Sequence, residues 1–136
     1  MNIAVRFYTR SGNTKKLADA VAKAVATEAK DITAPLTEKV DILFLGCSYY
    51  AFDVDDAVKQ FIMENKENIG KIVCFGTSAM MKSMKKPVSK VADTVDVIVA
   101  DEEFHCRGTF GPMHKGRPNV KDLEEISAFA KKIIAE

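Results

Sequence analysis

Phe7-Tyr8-Thr9-Arg10-Ser11-Gly12-Asn13-Thr14-Lys15 joins an apolar run, Ile3-Ala4-Val5, to a segment in which Leu17, Val21, Ala24 and Val25 recur at helical spacing. This is a strand, a hydroxyl-rich turn and a helix. Backbone N–H groups at a helix start point at an anion, and the helix dipole favours its charge. Thr9, Ser11 and Thr14 add hydroxyl donors, and Gly12 allows close backbone approach. Ser, Asn and Thr are also ordinary N-caps, but one cap needs one such residue and this turn has four. The turn therefore reads as a site for a phosphate-bearing ligand, at the end of a first strand where open α/β sheets place ligands.

Working outward, strand and helix patterns alternate. The expected strands are 3–8, a short one near Ile32, the apolar run Val40 to Leu45, Ile72 to Phe75, and Val95 to Ala100. The expected helices are 13–29, roughly 53–66, one with Pro87 near its first turn, and a final one capped by Asn119. Such alternation predicts a parallel sheet covered on both faces and, with right-handed crossovers, a doubly wound α/β fold. Residues 1–136 read as one domain, without repeats or linkers. Little room is left between the first helix and the third strand for a crossover helix.

The turn Thr9-Arg10-Ser11-Gly12-Asn13-Thr14 matches Thr/Ser-x-Thr/Ser-Gly-x-Thr in full, and so resembles the phosphate loop of flavodoxins. The resemblance implies a three-layer flavodoxin-like fold with a five-stranded parallel sheet in the order 2-1-3-4-5. It implies flavin mononucleotide (FMN) as cofactor, with Arg10 an optional charge partner for its phosphate. Tyr49, Tyr50 and Phe52, in the stretch Ser48-Tyr49-Tyr50-Ala51-Phe52, suit a flat aromatic ligand, and they equally suit the core. The stretch Gly76-Thr77-Ser78-Ala79 resembles the third flavin-contacting loop, and Thr77 or Ser78 would also serve as a helix N-cap.

Phe104-His105-Cys106-Arg107-Gly108 carries a Phe-x-Cys-x-Gly element that resembles a subgroup of short bacterial flavodoxin-family proteins. It is expected to close over the ring through Cys106 and Gly108. Arg107 would favour a thiolate at Cys106, although a small, partly buried residue in a turn is the plainer reading. Zinc is disfavoured, because His105, His114 and Cys106 offer three poorly spaced ligands. Asp53, Asp55, Asp56, Asp101, Glu102 and Glu103 cluster at this edge, where negative charge would disfavour the reduced flavin anion. The first three also suit a helix start. Lys82, Lys85, Lys86 and Lys90 read as a solvated face.

Hydrophobic residues make up 47% and charged residues 29%, with a formal charge of +1. That balance argues against nucleic acid or an anionic membrane as main partner, and it departs from the strongly acidic character of flavodoxins. Cys47, Cys74 and Cys106 are dispersed, which suggests reduced thiols in a cytoplasm. Arg6 interrupts the first apolar run, so no secretory signal is expected, and the opening Met1 points to a free-standing protein.

The resulting expectation is an FMN-binding electron carrier that meets redox partner proteins as a monomer or weak dimer. An FMN-dependent NAD(P)H or quinone-type reductase, or a flavodoxin-like module that activates a protein partner, are the alternatives. No catalytic residue or metal is assigned. Phosphoacceptor receivers need acids where Tyr8-Thr9 and Gly46-Cys47 stand, low-molecular-weight phosphatases need a cysteine in the first loop, and Gly-x-Gly-x-x-Gly and Walker patterns are absent.

Overall fold

The computed structural model describes residues 1–9, 12–48, 54–78, 85–109 and 114–136. Five parallel strands form one sheet: β1 (Ile3–Phe7), β2 (Ala29–Asp31), β3 (Val40–Ser48), β4 (Ile69–Ser78) and β5 (Ile98–Arg107), in the order β2-β1-β3-β4-β5. Among the described residues four α-helices flank it: α1 (Asn13–Ala24), α2 (Asp56–Asn65), α3 (Lys85–Thr94) and α4 (Val120–Ala135). This is the doubly wound, flavodoxin-like arrangement, and its order reverses between β1 and β3.

Strand alternation divides the apolar side chains between two cores. Val5, Phe7, Ile42, Phe44, Val73 and Phe75 face α1 and α4, packing on Leu17, Val21, Ile126 and Ala130. Leu43, Leu45, Cys47, Ile72 and Cys74 face α2 and α3, packing on Val58, Phe61, Ile62 and Val88. The central strands are buried on both faces, hence their continuous apolar runs.

The boundaries differ from expectation at three places. α1 ends at Ala24 rather than 29, because Ala26 adopts a left-handed φ of 57° and the Thr27 N–H turns back to the Ala22 carbonyl at 2.9 Å. That turn frees Ala29–Asp31 to pair with β1, just ahead of Ile32. α2 spans 56–65 rather than 53–66, since the Asp55 carboxylate accepts from the Ala57 N–H at 2.9 Å and caps it. β5 runs 98–107 rather than 95–100. Val95 and Val97 close the end of α3 around Asp96, with φ 59°, and both donate to the Ala92 carbonyl.

Residues 101–107 are therefore strand, not loop, and their acidic composition hid it. β5 is an edge strand. Its register shifts between the Ile72 and Cys74 pairings, which leaves Asp101 and Glu102 exposed opposite Val73. Charge and irregularity at an edge are how sheets avoid unwanted pairing. Likewise Gly46–Ser48 and Gly76–Ser78 complete β3 and β4 rather than opening loops.

Candidate functional site

The site lies at the carboxyl ends of β1, β3, β4 and β5. Gly12 is the N-cap of α1, with a left-handed φ of 87° that only glycine adopts without strain. No described atom lies within 4 Å of where its Cβ would stand, so the turn has open space beside it. The Thr9 hydroxyl accepts from the Gly12 N–H at 3.0 Å and holds the turn closed.

The helix ends differ in charge. α2 begins with Asp55 and Asp56, and α4 with the Asn119–Asp122 capping box. α1 has no acidic residue in its first turn, and its capping residue has no side chain. Its positive end is thus left with no local carboxylate, which suits an anionic ligand.

Three remote elements lock onto this helix start. Thr14, fully buried, places its Oγ1 3.3 Å from the Thr77 Oγ1 on β4. Asn13 donates from Nδ2 to the Thr109 carbonyl at 3.0 Å, just past β5. Gly108 lies in the angle between them: a Cβ there would come 2.9 Å from Asn13 Nδ2 and 3.1 Å from Thr77 Cβ. Gly46 on β3 is equally confined, since a Cβ would meet Phe75 ring atoms at 2.4 Å and Thr14 Cγ2 at 3.0 Å. Four of five strand ends therefore converge on Gly12–Thr14.

A family model described as a flavodoxin domain matches residues 4–116, from β1 through β5. The chain belongs to the flavodoxin family. No curated protein matches it by sequence. Among solved structures it is similar to an archaeal flavodoxin (TM-score 0.79, 16% identity, covering 98% of this chain and 96% of that one). Flavodoxin 1 from Bacillus cereus in its oxidised form is also similar (TM-score 0.70, 21% identity, 100% and 99%). A third is a flavoprotein from Lactobacillus acidophilus in complex with FMN (TM-score 0.66, 15% identity, 78% and 92%). At these identities the likeness is one of fold.

In this flavodoxin-family chain the structure brings together Thr9, Gly12, Asn13, Thr14, Gly76, Thr77, Ser78 and Gly108. The backbone of Ser48 pairs with Thr77 at the end of β3. Arg10, Ser11, Tyr49, Tyr50, Ala51, Phe52, Asp53, Ala79 and Lys82 lie outside the described residues.

Cys106 is the small buried residue of the plainer reading, in strand β5 rather than in a turn. Its side chain packs into the core beneath α4, and burial, with Asp122, pushes the thiol up to about 12. Phe104 faces the same way and packs on Phe129, with ring centroids 5.9 Å apart. These side chains point into the core, so Cys106 can meet the edge through its backbone only. His105 points to the opposite face from Cys106. Its buried Nε2 has no hydrogen-bond partner among the described residues, and burial, then Arg107, holds the imidazole below its ordinary value.

Three of the acids are committed to structure. Asp55 caps α2, Asp101 pairs with Lys85 Nζ at 2.7 Å, and Glu103 accepts from the Lys85 N–H at 3.1 Å. Lys85 is thus an ion-pair partner rather than part of a bare basic face. Among the described residues no helix is long and apolar enough to cross a membrane.

Sequence reading missed the supports. Thr109 and Phe75 carry no motif, and their roles, like the close packing of Gly46, follow from register. Arg6 did leave a signal: it is a charged residue in an apolar strand. It is buried, and its guanidinium donates to the carbonyls of Ala34 at 2.9 Å, Val5 at 3.1 Å and Pro35 at 3.3 Å.

Proposed function

We propose that the protein binds FMN at this edge and serves as a single-domain electron carrier for redox partner proteins in the cytoplasm. The observation that carries the reading is the α1 start itself. A left-handed glycine, a Thr9-closed turn, and a helix end without local acids are clamped by β4 and the end of β5. The donor set fits a phosphate monoester: hydroxyls and main-chain N–H groups with open space at Gly12.

In this reading Thr9, Arg10, Ser11, Gly12, Asn13 and Thr14 hold the phosphate. The ring lies between Ser48, Tyr49, Tyr50, Ala51 and Phe52 on one side and Gly76, Thr77, Ser78 and Ala79 on the other. Cys106, through its backbone, and Gly108 border it. Bound FMN supplies the redox chemistry, while the chain supplies binding and orientation. Buried Thr14 and Thr77 fix the α1 start against β4. Gly46 and Gly108 let β3 and the end of β5 approach the α1 start closely.

The test is an FMN titration of the flavin-stripped protein, followed by flavin fluorescence, with riboflavin as control. Tight quenching by FMN and much weaker binding of riboflavin support a phosphate-anchored site. Failure of both to bind overturns the reading. Sustained NAD(P)H turnover by the loaded protein would favour a reductase over a carrier.

A further inference from the structure

β2 and β3 are joined by residues 32–39 alone, with no crossover helix. This short strap is pinned from both sides. Arg6 holds the Ala34 and Pro35 carbonyls, while Asn65 Oδ1 accepts from the Leu36 N–H at 2.9 Å and Asn68 Nδ2 donates to the Leu36 carbonyl at 3.2 Å. Where a helix would otherwise cover the sheet, a cleft of about 550 Å³ opens between the strap and α2. Its walls are fixed by these bonds without any ligand, and its volume falls in the small-molecule range of roughly 300–1,000 Å³.

The lining has a definite chemistry. Tyr8, Ile32 and Phe61 supply an aromatic and apolar floor, and Asp31 and Glu64 supply two carboxylates at the rim. Among the described residues no lysine or arginine lines it. Arg6 lines a separate hollow behind the strap, its guanidinium committed to carbonyls. Asp31 is oriented by the Thr33 N–H, which donates to Oδ1 at 2.9 Å. The Gln60 and Glu64 side chains have no hydrogen-bond or ion-pair partner among the described residues. Aromatic faces attract cations, and a concave wall with carboxylates of one sign concentrates them and repels anions.

We propose that the cleft between the 32–36 strap and α2 binds a small amphipathic organic cation. Its apolar body rests on Tyr8 and Phe61, and its ammonium or guanidinium group meets Asp31 and Glu64. The site is separate from the Gly12–Thr14 turn and stands whether or not FMN binds there.

The test titrates tryptamine into the isotopically labelled full chain and follows amide NMR shifts. Saturable shifts at Thr33, Ala57, Gln60 and Glu64 are expected. Indole-3-acetate, which carries the same ring and the opposite charge, should bind at least about tenfold more weakly. Glu64→Lys, at an exposed position, should weaken tryptamine roughly fivefold or more without altering the rest of the spectrum. Gln60→Arg, also exposed, should likewise weaken it by pairing with Glu64 and filling the mouth. Equal binding of the two indoles, shifts centred elsewhere, indifference to both variants, or absence of shifts would each overturn the proposal.

Discussion

Thr14 Oγ1 on α1 lies 3.3 Å from Thr77 Oγ1 on β4, with both side chains buried. Residues 63 positions apart thus share one hydroxyl contact at the start of α1, and the shape of the turn depends on the sheet as well as on its own motif.

Thr14→Val keeps the shape and removes the hydroxyl. Losing one buried hydrogen bond costs about 0.5–1.5 kcal/mol, so the flavin-free variant should unfold at lower urea concentration. FMN affinity should fall as well. Unchanged stability and affinity would mean that the contact holds nothing in place.

Gly46→Ala places a methyl 2.4 Å from the Phe75 ring and 3.0 Å from Thr14 Cγ2. Overpacking of this kind costs about 1–3 kcal/mol, visible as a lower melting temperature. Adding Phe75→Leu to this background should cost less than Phe75→Leu alone, because the shorter side chain relieves the clash. Simple additivity of the two changes would refute the steric account.

Asp122 anchors the start of α4. Arg117 donates to it from Nε at 2.6 Å and from Nη2 at 2.8 Å, and the Asn119 N–H donates at 2.8 Å. Burial pushes the carboxyl up, but these bonds outweigh burial and hold it below its ordinary 3.8. A depressed folded value means that the stabilisation is complete above 3.8 and is lost as pH falls below it, through the folded value. Asp122→Asn should therefore cost about 1.5–3 kcal/mol near neutrality. The gap to wild type should narrow in acid, as measured by urea unfolding across pH. A gap independent of pH would show that the charge is not what matters.

The three cysteines should be inert in the native protein. Burial, then the Glu103 charge, pushes Cys47 up to about 12, and burial, then the Asp122 charge, does the same for Cys106. Cys74 is pushed well above its ordinary value, chiefly by burial. At pH 8 all three stay protonated and shielded, so a thiol reagent such as DTNB should react only after denaturation. One rapid equivalent in the native state would restore a reactive thiol.

Much of this was legible in the chain. The near-continuous apolar runs at Val40–Leu45 and Ile72–Phe75 mark buried parallel strands, because a strand covered on both faces has no polar side. The turn before α1 was readable because its hydroxyls and glycine are contiguous. β5 was not readable beyond Ala100. Its polar residues 101–103 fall at an edge with shifted register, where solvent rather than pattern sets composition.

The sequence by itself determined the α/β class, the flavodoxin-type turn and the capped final helix, since these depend on local periodicity and neighbouring residues. Only the tertiary structure decided which strand ends close on that turn, that Gly46 and Gly108 are needed for close approach, and that Cys106 points into the core. It alone decided that Arg6 and Asn65 pin a strap over a cleft. These relations join residues far apart in the chain. Their distances are set by strand register and by which face of the sheet each side chain takes, and neither can be read from spacing along the sequence.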